Sequence, residues 1–103
     1  MIRHIVFFSA ASGVEPRRIQ EKLQRLADIP FSQSLEVSLN LKSDPLGGEI
    51  DVVVYAEFAD ESALAAYRAH PLYAEVTREV RGLRELRYSA NVESRSDEAG
   101  KPM

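Results

Sequence analysis

Four side chains in this sequence could carry acid–base or hydrogen-bonding chemistry in a folded interior: His4, Tyr67, His70 and Tyr73. Three of them fall within YRAHPLY, residues 67–73, which sets two phenols and an imidazole around a proline. Imidazole titrates near neutrality without special tuning and can act as a general base. A phenol, with an ordinary pKa of about 10, stays protonated at neutral pH and serves better as a donor to a carbonyl or enolate oxygen. The two imidazoles, His4 and His70, are therefore the candidate bases, with Tyr67 as the donor. Such a pair suits proton removal beside a carbonyl.

Each of these residues also has a structural reading. A buried tyrosine is often a core residue whose hydroxyl finds a partner. A histidine before a proline at a helix end can bond terminal backbone groups, and Tyr73 can either line a cavity or pack against the start of its helix. A lone imidazole inside a strand is more often a satisfied core residue than a ligand. Two histidines far apart, with no carboxylate at ligand spacing, do not make a transition-metal site. Gly47-Gly48 lacks the strand–glycine–helix context of a phosphate loop. Neither a metal nor a cofactor is expected.

The elements that must position these residues follow from periodicity. Ile2 to Phe8 (IRHIVFF) is β-branched and aromatic and ends at the small residues Ser9 to Gly13, which predicts a strand and a loop. His4 shares its parity with Ile2, Val6 and Phe8. Pro16 can open a helix in which Ile19, Leu23 and Leu26 fall on one face, ended by Ile29-Pro30. Ser34 to Leu41 alternates, with Leu35, Val37, Leu39 and Leu41 on one side. After a loop containing Pro45, Gly47 and Gly48, Asp51 to Phe58 is apolar on both parities and predicts a buried strand. Asp60 can cap a helix carrying Leu64 and Tyr67, which breaks at His70-Pro71; a further helix runs to Gly82. Leu83 to Val92 alternates again, Leu86, Tyr88, Ala90 and Val92 against Glu85, Arg87, Ser89 and Asn91. Residues 1–92 read as one domain and 93–103 as a polar, flexible tail.

The order βαββαβ is the ferredoxin-like arrangement of the α+β class, a four-stranded antiparallel sheet with its helices on one face and its first and third strands in the middle. Those two strands are apolar on both faces, and two helices can cover only one. The other face needs a cover, most simply a second copy of the chain. A homodimer with its sheets face to face is the expectation, with the space between sheet and helices as the site for a small, largely apolar ligand.

Composition narrows the remaining classes. Thirteen Lys and Arg against sixteen Asp and Glu give a formal charge of -3 with no basic run, so nucleic acid is not an expected partner. With no cysteine there is no disulfide framework. No apolar run approaches the roughly 20 residues that cross a bilayer, and the start MIRHIVFF has no signal core, so the expectation is a cytoplasmic protein without a membrane partner.

The opening MIRHIVFF, the helix ending in LADIP, and AYRAHPLY followed by EVTREV and a final strand resemble the stress-responsive A/B barrel (Dabb) family over residues 1 to about 92. The resemblance implies a dimeric α/β barrel of eight strands shared by two chains. It implies a histidine, here His4, that reaches the cavity region, which makes His4 the first candidate base and His70 the second. A plant polyketide cyclase of that family carries Tyr-x-x-His-Pro-x-His, matched here at Tyr67, His70 and Pro71, with Tyr73 in place of the final histidine that is the base in that enzyme. Some members also resemble one another in a weak cation site of main-chain carbonyls, which would map to Leu26, Ile29 and Ser32; side chains cannot reveal such a site. The reading is a dimer binding a small carbonyl or phenolic molecule at His4, Tyr67, His70 and Tyr73. A non-catalytic stress-related dimer and a cyclase-like or monooxygenase-like enzyme stand as alternatives.

Overall fold

The computed structural model describes residues 1–94. Most of the expected tail, residues 95–103, lies outside the described residues. The chain runs β1 (Ile2–Ala10), α1 (Pro16–Gln24) with a 3-10 turn (Arg25–Asp28), β2 (Ser34–Leu39), β3 (Val52–Phe58), α2 (Glu61–Ala69), α3 (Pro71–Arg81) and β4 (Arg84–Glu93). The four strands form one antiparallel sheet in the order β2-β3-β1-β4. The two strands that are apolar on both parities are the central ones, as expected.

Register explains the core. His4 stands opposite Ala56, Val6 opposite Val54 and Phe8 opposite Val52, and Val37 of β2 joins the same row against Val54. All of these are buried together with Ile19, Leu23, Leu64, Tyr67, Val76 and Val80 from the helices. Removing each large aliphatic or aromatic side chain from water contributes about 1.5–3 kcal/mol. Pro16 opens α1, and the helix tightens to 3-10 geometry before Ile29 turns extended ahead of Pro30. The Asp60 side chain accepts the Ala63 amide at 2.8 Å and caps α2. α2 stops at His70, whose extended backbone precedes Pro71, and α3 begins there. Lys22 on α1 and Arg25 in the 3-10 turn both pair with Glu79 on α3, each at 3.0 Å, and link the two helical segments.

Asp51 ties the far end of the sheet together. Its carboxylate accepts the Ala10 amide and the Lys42 ammonium, each at 2.7 Å, beside the irregularity that interrupts β1–β4 pairing between Phe8 and Ala10. Burial acts to raise its pKa, but the bonds from Ala10 and Lys42 outweigh it and hold the carboxyl below its usual value.

Several strand boundaries differ from the sequence reading, among them the end of β1, which runs on to Ala10. β2 ends at Leu39, and Leu41, assigned to its apolar side, is 90% exposed. β4 continues through Glu93, and the Ser94 amide bonds the Met1 carbonyl at 2.7 Å, past the expected boundary at 92. Register also settles which way β4 faces, a point its alternation leaves open. Because Phe8, Val6 and His4 pair with Arg87, Ser89 and Asn91, it is the polar row of β4 that lies on the helix side. Its apolar row, with Tyr88 and Val92, extends the open face. β2 does the reverse. The helices shield β4 so little that most of its residues are exposed, which allows polar side chains there. No helix among the described residues is long and apolar enough to cross a membrane.

Candidate functional site

A cavity opens between the sheet and the helices, lined by His4, Val6 and Phe8 of β1, Leu23 and Leu26 of the first helical segment, Val54, Tyr67, Tyr73, Thr77 and Arg87. Its free interior is small: about 20 Å³ is open to the centre of a water molecule, enough for about one water. Mostly apolar walls surround a few polar groups, which is the composition of a small-ligand site.

His4 reaches this space because its parity on β1 is that of Val6 and Phe8. The residue is 1% exposed, and its Nδ1 lies 2.5 Å from Oδ1 of Asn91, its register partner on β4. An amide oxygen only accepts, so Nδ1 carries the proton and Nε2 keeps its lone pair. Nε2 makes no hydrogen bond with the described residues. Burial lowers the His4 pKa below the usual 6.5; the bond to Asn91 opposes this, while the charges of Arg68 and Arg87 add to it. The ring is neutral at neutral pH. It is thus a fixed, uncharged acceptor at the cavity wall.

Tyr67 projects from α2 and is also 1% exposed. Its ring meets Phe58 at 4.9 Å and Tyr73 at 5.2 Å, and lies edge-on to the His4 ring at 6.2 Å. Its hydroxyl makes no hydrogen bond with the described residues. Burial, reinforced by Tyr73, pushes its pKa far up, so the phenol remains a donor throughout the physiological range. The two groups are chemically complementary: the neutral ring of His4 has a lone pair able to accept a hydrogen bond, and the Tyr67 phenol has a proton to donate.

Of the four expected site residues, the cavity joins His4, Tyr67 and Tyr73. His70 is not among its lining residues. Its Nδ1 accepts the Leu72 amide at 3.1 Å, capping α3, and its ring rests against Phe31 at 6.5 Å. This is the structural role that a histidine before Pro71 can fill. Asn91, Arg87 and Thr77 were not among the expected site residues; the alternation of β4 held the signal for the first two, but not which side of the sheet they occupy. Among the described residues, no group of three His, Asp or Glu side chains is placed to hold a metal ion.

An antiparallel β2-β3-β1-β4 sheet with its helices on one face defines a ferredoxin-like α+β domain. Residues 2–94 match the family model of the stress responsive A/B barrel domain, Dabb, and the chain belongs to that family. No curated protein matches the sequence. Among solved structures, the chain is similar to a dimeric protein of unknown function and ferredoxin-like fold from Bacteroides fragilis, at 22% identity and a TM-score of 0.74, covering 90% of this chain and 95% of that one. It is similar to a Dabb family protein with a ferredoxin-like fold from Mesorhizobium loti, at 21% identity and a TM-score of 0.73, covering 90% and 95%. A hydroxynitrile lyase from Passiflora edulis shares the fold at 18% identity and a TM-score of 0.76, covering 88% and 90%.

Proposed function

We propose that this protein is a homodimer that binds a small carbonyl or phenolic molecule in the cavity at His4, Tyr67 and Tyr73. One observation carries the reading: a buried phenol donor without a protein partner among the described residues stands beside an oriented neutral imidazole, in a space with otherwise mostly apolar walls. Groups so placed match a ligand oxygen that accepts from Tyr67 and an acidic hydrogen that faces Nε2 of His4. The same pair could remove a proton beside a carbonyl, with the enolate oxygen held by Tyr67. A bound molecule larger than one water requires the rim at Tyr73 and Thr77 to move outward.

The dimer is supported by the open face. Phe7 is 37% exposed, Val92 46% and Tyr88 60%, and they share this face with Ile5 and Val53. Arg3, of the same parity, has a buried Nε without a hydrogen bond among the described residues, a group that a second chain could satisfy. The similar protein from Bacteroides fragilis is described as dimeric.

The tightness of the cavity favours a second reading, a dimer that functions without a ligand. A thermal-shift screen of small ketones, aldehydes and phenols separates the two, because a ligand bound only to the native state raises its stability. The binding reading expects hits that disappear in Tyr67→Phe. A screen without hits, or hits indifferent to that change, would favour the second.

A further inference from the structure

The polar row of β4 brings one cation to the cavity. Arg87 stands opposite Phe8 of β1 and lines the space together with Tyr73 and Thr77. It is half-buried, yet its guanidinium makes no hydrogen bond or ion pair with any described residue. The ion pairs of the described residues engage Lys22, Arg25 and Lys42 instead. None of the residues lining the cavity is a carboxylate. Arg68, next to Tyr67 on α2, is exposed and likewise unpaired among the described residues, and the charges of both arginines act on His4 and on Tyr67. The rim is therefore locally positive in a chain whose formal net charge is -3.

We propose that the ligand of this cavity is an anion, an oxo- or hydroxy-carboxylate with a short apolar body, whose carboxylate is held by Arg87 while its oxo or hydroxyl oxygen meets Tyr67 and His4. This rests on the reading of the cavity as a ligand site. Guanidinium keeps its charge at any physiological pH, and its planar fork matches a carboxylate through two parallel bonds. A neutral ligand would cover the rim and leave that fork with nothing but water. A carboxylate satisfies it, and at the edge of a low-dielectric cavity the bond is stronger than on an open surface. Arg87 is on this account the residue that sets specificity, while Tyr67 and His4 read the uncharged end.

Pyruvate, acetoacetate and levulinate space a carboxylate and a ketone progressively further apart, and their methyl esters remove the charge at nearly constant shape. Calorimetric titration of the full chain with each acid and ester is the test. The expected result is that at least one acid binds about tenfold or more tighter than its ester, as a bond to a charged group implies. Arg87→Gln should erase that preference, Arg87→Lys restore part of it, and added salt weaken the acid more than the ester. Tyr67→Phe should weaken acid and ester alike, which separates the cavity from a surface arginine. Matched circular dichroism spectra establish that the variants fold. Acid and ester binding equally, or a preference that survives Arg87→Gln, would overturn the assignment of an anionic ligand while leaving the cavity as a ligand site. If neither acids nor esters bind the unmodified protein, the anionic assignment falls, while the cavity as a ligand site is decided separately by the thermal-shift screen of neutral ketones, aldehydes and phenols.

Discussion

Asn91→Ala removes the acceptor that orients His4, and its consequences can be worked from the geometry. The imidazole is 1% exposed, so Nδ1–H loses its bond in a place that the folded chain itself does not hydrate. An unmade buried bond costs about 1–3 kcal/mol. Asn91 itself is exposed, so water can enter where its amide was, and the lower end applies. A loss of about 1 kcal/mol lowers Tm by about 4–8 °C in a domain of this size. The pH dependence carries a sign. Because the folded pKa of His4 lies below its unfolded value, the unfolded chain binds more protons, and stability is fully present above the usual 6.5 and lost as pH falls through the folded pKa. The Asn91 bond raises that pKa, so Asn91→Ala depresses it further and steepens the acid loss. Asn91→Asp places a carboxylate beside the ring and should raise the pKa, flattening the same loss. NMR titration of the imidazole protons checks this at fixed protein concentration, with His70→Gln identifying the second of the two histidines. Unchanged His4 titration in both variants would refute the assigned bond and its tautomer.

Tyr67 should separate stability from binding: Tyr67→Phe deletes a hydroxyl that bonds no described residue and is expected to change stability by no more than about 0.5 kcal/mol, whereas Tyr67→Ala empties the contact with Phe58 and Tyr73 at a cost of about 3–5 kcal/mol, both read from urea unfolding. Asp51→Ala strands the Ala10 amide and should cost about 1–3 kcal/mol at neutral pH. Since its carboxyl is held below the usual 3.8, the difference from the unmodified protein should shrink as pH falls through that range. Phe7→Asp, on the exposed apolar face, should shift the mass by light scattering from twice 11.5 kDa to a single chain; an unchanged dimer would place the interface elsewhere.

Much of the frame was legible because it follows from parity. Ile2 to Phe8 and Val52 to Phe58 are apolar on both faces, which singles them out as the central strands, and His4 inherits its inward direction from Val6 and Phe8 on the same strand. The breaks at Ile29-Pro30 and His70-Pro71 follow from the conformations that proline forbids to its predecessor. Alternation in β4 separates two rows but is silent on which row meets the helices; that depends on pairing with β1 and on how far the helices reach. Asn91 and Arg87 were hidden for that reason, although one orients the imidazole and the other charges the rim. For His70, both the cap and the cavity were open readings, and the bond from the Leu72 amide draws the ring to the cap. The cavity's tightness depends on how the rings of Phe58, Tyr67 and Tyr73 pack, and no periodicity encodes that.

The proposed ligand site is the space between His4 and Tyr67. Amide and side-chain NMR shifts recorded while acetoacetate is added test it most directly. Saturable shifts are expected, concentrated at His4, Tyr67, Tyr73, Thr77 and Arg87 and abolished by Tyr67→Phe; their absence there, or shifts confined to the open sheet face around Phe7 and Tyr88, would rule out binding in this cavity.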